Sequence, residues 1–144
     1  YKQRPKRNPI PFKKLKEAFK KACDKYSNEA DKVISFLNNN IRNKIEHDFG
    51  IGWGPRLEKQ IKNYVPVICA SGGNEAEATD RILSMRILRK VRKRHDLHEK
   101  TLCDFLKLIK EKWSLLGSKG DPELSNNLLE KEIKRLEPEG EHGY

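Results

Sequence analysis

Residues 50–91 read GIGWGPRLEKQIKNYVPVICASGGNEAEATDRILSMRILRKV, and the reading of this run decides the fold. Its glycines gather in Gly50-x-Gly52-x-Gly54, directly before Pro55. Proline suits the first turn of a helix, where the N–H it lacks would have no intrahelical partner. Leu57, Ile61, Tyr64 and Val65 continue at helical spacing as far as Pro66, which is expected to kink or end the helix. Gly72-Gly73 then breaks the chain. Asn74 followed by Glu77 is a capping-box-like start for a helix running to about Arg92, with Ala78, Ile82, Met85, Leu88 and Val91 inward. The glycines form no dinucleotide fingerprint, because no strand precedes them, and no P-loop, because no Gly-Lys-Ser/Thr follows.

The same period extends in both directions. Upstream, Phe12, Leu15, Phe19, Cys23 and Tyr26 make one apolar stripe. Ser27 or Asn28 can cap a second helix striped by Ala30, Val33, Ile34, Leu37, Ile41 and Ile45. Downstream, Asp96 with Glu99 repeats the capping signal for a helix carrying Leu102, Phe105, Leu106, Ile109, Trp113 and Leu116, with Gly117 as its stop. Asp121-Pro122 opens a last helix with Leu124, Leu128, Ile133 and Leu136, ended by Pro138 and Gly140. No alternating β-type run appears, so the fold expected is all-α, a compact bundle of about six helices. Residues 1–11, with four Lys/Arg and three prolines, read as an extended basic linker. Residues 12–137 are the helical domain and 138–144 an acidic flexible tail.

Composition narrows the function classes. With 144 residues, 35% hydrophobic and 36% charged, the chain is one small domain or a large piece of one. No apolar stretch approaches the roughly 20 residues that cross a bilayer, and the basic N-terminus has no secretory h-region. Cys23, Cys69 and Cys103 are an odd number without a C-x-x-C pair, which suits a reducing compartment and makes the cytoplasm the default. A first residue Tyr rather than Met points to an excised or processed fragment. The net charge of +10 is uneven: Arg86–Arg94 holds six basic residues and no acid, whereas Asp121–Tyr144 has seven acids and three bases. That asymmetry fits either a polyanion-binding face or a solvated helix surface.

Few residues propose chemistry. His95-Asp96-x-His98 sits at a helix start with no third ligand indicated by spacing, so no metal is expected there. Glu46-His47-Asp48 is a short polar cluster at a helix end, and no Ser/His/Asp or Cys/His signature supports a nucleophile. Arg56 is more informative. It falls in the first turn of a helix behind a close-approach backbone, where a five-donor fork and the helix N-terminus can face phosphate. An arginine held only by water at a cap is the alternative.

The run quoted above resembles the C-terminal helical lid of AAA+ NTPases, and within them the McrB-type lid of modification-dependent restriction systems. The residues that carry the likeness are Gly50, Gly52, Arg56, Tyr64-Val65-Pro66-Val67, Gly72-Gly73 and Ile87-Leu88-Arg89-Lys90-Val91, over residues 49–92. Trp53-Gly54-Pro55 before Arg56 is bulkier and stiffer than the family pattern. The resemblance implies that Arg56 is the sensor-2 arginine and acts on the terminal phosphates, with Gly52 and Gly54 beside it at the nucleotide. It implies no cofactor in the chain by itself and ATP or GTP with Mg in the parent protein, an NTP hydrolase. The implied partners are an upstream αβ NTPase subdomain carrying Walker A, Walker B and the arginine finger, neighbouring subunits of a ring, a nuclease partner and DNA, with no membrane. Two other classes stay open. One is a free-standing nucleic-acid-binding module using Lys13, Lys14, Lys20, Lys21, Arg89, Arg92, Lys93 and Arg94. The other is an interaction domain with Trp53 and Trp113 as interface anchors.

Overall fold

The computed structural model describes residues 11–117 and 120–137; the linker at 1–10 and the tail at 138–144 lie outside the described residues. The fold is all-α. Six helical rods are present among the described residues, two of them interrupted by π-helical turns. The first is α1 (Phe12–Lys25). The second joins α2 (Ser27–Phe36), a π turn at Leu37–Ile41 and α3 (Arg42–Asp48). The third is α4 (Pro55–Ala70). The fourth joins α5 (Glu75–Ile82), a π turn at Leu83–Ile87 and a 3₁₀ turn at Leu88–Lys90. The fifth is α6 (Glu99–Lys112) with a 3₁₀ turn at Trp113–Leu116, and the sixth is α7 (Glu123–Leu136). No helix among the described residues is long and apolar enough to cross a membrane.

One core cluster joins the second to sixth rods. α4 packs on α1, α2 and α5, and α7 packs on α5 and α6. The second rod supplies Val33, Leu37, Ile41 and Ile45, one buried residue every four positions. Phe36 meets Trp113 edge-on at 5.8 Å, and Phe49 meets Phe105 in the same way at 5.1 Å. Such pairs add about 0.5–1.5 kcal/mol to the burial itself.

Helix ends follow the glycines. Gly50, with φ +64, ends α3, and the Ile51 N–H turns back onto the Ile45 carbonyl at 3.2 Å. After α4 the two glycines form a Schellman closure. Gly72 has φ +94, its N–H bonds the Cys69 carbonyl, and the Gly73 N–H bonds the Ile68 carbonyl at 2.9 Å. A Cβ on Gly73 would meet Ile68 Cγ2 at 2.6 Å, so close approach as well as dihedral freedom requires glycine in this turn. Asn74 then caps α5 by accepting the Glu77 N–H at 2.8 Å, and Gly117, with φ +76, closes the fifth rod.

Several sequence expectations are corrected. Pro66 does not end α4, which runs to Ala70. Proline removes one N–H, and the carbonyl it leaves unpaired belongs to Lys62, an exposed position. The α1 stripe is covered only toward its C-terminal end: Phe12, Leu15 and Phe19 are exposed, whereas Cys23 and Tyr26 are half-buried and Tyr26 packs against the core. Met85 is 54% exposed rather than inward. A π turn holds more residues per revolution than an α turn, so the phase slips after Ile82 and the buried set becomes Leu83, Ile87, Leu88 and Val91. In α7 Leu128, Ile133 and Leu136 pack against the core as expected, but the buried positions are Ser125, Asn126, Leu129 and Glu132, and Leu124 is 46% exposed. Neither Ser27 nor Asn28 caps α2, which follows Tyr26 without a side-chain cap. Asp96 does not cap α6, whose N-cap is His98; its carboxylate is taken by Arg94 instead.

Candidate functional site

The site is a groove, and the turns before and after it determine its walls. Gly52, Trp53 and Gly54 lead into α4, whose N-cap Gly54 offers no side-chain oxygen. The first turn is therefore left to water or a ligand. Arg56 stands exposed there. Across from it the π turn turns Met85 and Arg86 outward, and Arg89 and Lys90 follow on the 3₁₀ turn. Together Gly52, Gly54, Arg56, Arg86, Arg89 and Lys90 line a cavity of about 460 Å³. Trp53 also lines it, and its indole nitrogen, buried, has no hydrogen-bond partner among the described residues.

This cavity continues into a second of about 580 Å³, with Leu57, Gln60, Met85, Arg86 and Arg89 common to both. The second has an apolar floor of Ile61, Tyr64, Ile82, Leu124 and Leu128, and adds Arg81 and Arg92 to its rim. The whole groove thus presents six cations, and no Asp or Glu lines either cavity. None of the six side chains takes part in an ion pair or hydrogen bond among the described residues; the Arg81 carbonyl accepts the Ser84 hydroxyl at 3.3 Å.

On the other side of the α5–α7 junction Asp80, Glu132 and Arg135 are paired, whereas the buried Asn126 Oδ1 has no hydrogen-bond partner among the described residues. Asp80, buried, accepts the Leu124 and Ser125 N–H groups at 3.0 and 2.9 Å and the Ser125 hydroxyl at 2.7 Å. It caps α7 from another rod. At the far end Glu132 accepts the Lys93 N–H at 2.8 Å, where Lys93 takes φ +62, and also the Arg135 Nε at 2.6 Å. Burial pushes the Glu132 carboxyl up, but the hydrogen bonds from Arg135 and Lys93 and the charges of Arg135 and Arg92 outweigh it, holding the carboxyl below its ordinary value. Arg135 in turn donates to the Arg94 carbonyl at 2.6 Å.

The sequence-chosen residues divide accordingly. Gly52, Gly54 and Arg56 are brought together at one end of the groove. Of the nucleic-acid set, Arg89 and Arg92 line the groove, and Lys93 lines an adjoining cavity against α7. Arg94 donates to the Phe49 carbonyl and to both Asp96 oxygens. The hydrogen bond to Asp96 raises the guanidinium and lowers the carboxylate, so Arg94 holds the chain rather than facing outward. Lys13, Lys14, Lys20 and Lys21 are exposed on α1, and none lines the groove. Trp53 and Trp113 are buried in the core and are not surface anchors, a correction to the interaction-domain reading. His47, His95 and His98 are exposed, and no group of three metal-ligating side chains forms among the described residues.

Sequence reasoning missed Arg81, Arg86, Lys90 and Met85 as groove residues. The acid-free run Arg86–Arg94 carried part of that signal, but its phase depended on the π turn. A family model described as Domain of unknown function (DUF8727) matches residues 9–141, and the chain belongs to that family. No curated protein and no solved structure gives a match.

Proposed function

We propose that this member of the family is the helical lid of an AAA+ NTPase, of the kind found in DNA-linked restriction and defence systems. It would close over nucleotide held by an αβ subdomain. The observation that carries this reading is Arg56, free at the uncapped N-terminus of α4 behind Gly52 and Gly54, in a cavity that also holds Arg86, Arg89 and Lys90. A guanidinium so placed presents several donors to phosphate oxygens, and the helix terminus adds favourable potential for an anion. Its contribution to hydrolysis is electrostatic: it stabilises charge that develops on the terminal phosphates, and no proton transfer is assigned to it. The phosphates would come from the αβ subdomain, with ATP or GTP and Mg as the cofactor pair. DNA, a nuclease and neighbouring ring subunits are the partners of the assembled machine.

The nucleic-acid-module reading fits less well. Its α1 lysines lie outside the groove, and Arg94 is already engaged.

The test is NTP turnover by the intact protein. Arg56→Ala is expected to slow turnover by about 10²-fold, the scale of losing one preorganised donor to a transition-state anion, with assembly measured by mass photometry unchanged. Turnover at the parent rate would remove Arg56 from the chemistry, and an intact protein without NTPase activity would overturn the lid reading.

A further inference from the structure

We propose that the apolar half of the groove, between α4, the Leu83–Ile87 turn and α7, is the docking site for an acidic amphipathic helix of a partner protein. The apolar floor of Ile61, Tyr64, Ile82, Leu124 and Leu128 is extended here by Leu57 and Met85. Met85 and Leu124 are each about half exposed, 54% and 46%, although both sit beside fully buried neighbours. An unbranched, polarisable methionine at the centre of such a floor adapts to the side chains of an incoming partner. Seating an apolar helix face in a groove between helices is a standard recognition mode, read as anchors at i, i+3, i+4 and i+7.

Charge determines which helix fits. Arg81, Arg86, Arg89 and Arg92 edge this half, all exposed, and no Asp or Glu lines it. The charge of Arg92 also acts on Glu132, and Arg81 borders a neighbouring acid-lined cavity. Arg86 and Arg89 are thus the cations with no acid beside them in either cavity they line. A basic or neutral helix would leave them unpaired and repelled or unmatched, whereas Glu and Asp flanking a leucine stripe would meet them on the rim. Rim charges of this kind chiefly raise the association rate and select the partner, while the apolar anchors hold it. A nucleic acid matches less of the surface. Bases need aromatic faces to stack on, and Tyr64, half-buried, is the one aromatic side chain in this half. The proposal does not depend on nucleotide or on Arg56, so it stands or falls separately from the lid reading.

The probe is a fluorescein-labelled peptide of about 15 residues, roughly four helical turns, with Leu at i, i+3, i+4 and i+7 and Glu elsewhere. Fluorescence anisotropy with the full chain is expected to show saturable binding. A scrambled peptide of the same composition should bind at least about tenfold more weakly, a difference of one decade in Kd. Met85→Glu and Leu124→Glu, both at exposed positions, should each lose about tenfold or more, with far-UV circular dichroism unchanged. Lys21→Glu on α1 should leave affinity alone. Equal binding of the ordered and scrambled peptides would overturn the proposal by reducing it to charge. An oligo-dT strand that binds while the peptide does not would overturn it in favour of nucleic acid.

Discussion

The junction between the fourth rod and α7 has two sides built from the same residue types, and they differ in what is left unpaired. On the inner side Asp80, Glu132 and Arg135 each have partners, and the backbone N–H groups of Leu124, Ser125 and Lys93 are used as well. On the outer side Arg81, Arg86, Arg89 and Arg92 stand beside Met85 and Leu124 with no acid among them. Asp80 and Arg81 are adjacent in sequence, as are Lys131 and Glu132. Helical phase places Asp80 at the seam and Arg81 at the groove, while exposed Lys131 lines an adjoining cavity beside buried Glu132. Residue type therefore says little about which charges hold the fold; the partner does. Buried polar groups that are satisfied fix one arrangement, whereas exposed like charges are available to a ligand.

The largest effect expected on this comparison is in the π turn that separates the two sides. Ile87 is buried at 1% exposure and Met85 faces outward. Ile87→Ala should cost about 2–5 kcal/mol in urea denaturation, and Met85→Ala should stay within about 0.5 kcal/mol. Equal losses would mean that the turn does not shift the phase as described.

That turn also marks where the sequence stopped being legible. The six rods, the glycine breaks and the Asn74 cap follow from local rules, and the interior of the second rod was read almost in full because Val33, Leu37, Ile41 and Ile45 keep their spacing through its own π turn. In the fourth rod a strict 3.6-residue period places Met85 inward, and no local residue announces the extra width. The cap on α7 was illegible for another reason. Asp80 lies more than forty residues from the helix it caps, beyond the reach of local capping rules. The α1 stripe was read correctly as periodic, but periodicity does not say what covers it. For the site, Arg56 and its glycines were found from spacing, whereas Arg81, Arg86 and Lys90 became visible only once the rods were placed side by side.

Removing the inner partner should come next in size. Asp80→Ala leaves the Leu124 and Ser125 N–H groups and the Ser125 hydroxyl without their acceptor at a buried helix start. The expected loss is about 2–4 kcal/mol, combining a lost cap with unsatisfied donors. Asp121→Ala, at the exposed position, should change stability by less than about 0.5 kcal/mol. If the two costs were reversed, the helix would be capped locally and the seam would be incidental.

Acid should loosen the other end of the seam. The Glu132 carboxyl lies below its ordinary value of 4.5 in the folded chain, so the folded state favours the ionised form. A group depressed in this way contributes stability that is fully present above the unfolded value and is lost as pH falls through the folded one. Unfolding of the parent should therefore become easier as pH drops below about 4.5, the ordinary glutamate range. Glu132→Gln should be less stable near neutrality by about 1 kcal/mol, the scale of a charge-assisted hydrogen bond weakened to a neutral one. It should also lose part of that acid dependence. An unchanged acid limb in Glu132→Gln would assign the pH sensitivity to other carboxylates.

The smallest effect tests the outer side, and here the sign matters more than the size. Arg86, Arg89 and Arg92 line the same cavity, so reversal of Arg89 replaces like-charge neighbours with opposite ones. Exposed pairs of this kind are worth about 0.2–0.5 kcal/mol, and none of these side chains has a structural bond to lose. Arg89→Glu should therefore be as stable as the parent or more stable by a few tenths of a kcal/mol at low ionic strength. The difference should fade as salt rises and the screening length shrinks from about 30 Å at 0.01 M to about 3 Å at 1 M. Urea is the denaturant for this measurement, since guanidinium would itself screen the charges. On the inner side, where the bonds are short and partly buried, the cost of Glu132→Gln should respond far less to salt. A loss above about 1 kcal/mol in Arg89→Glu would show that this arginine supports the fold. The groove cations would then belong with the seam, and the contrast between the two sides would disappear.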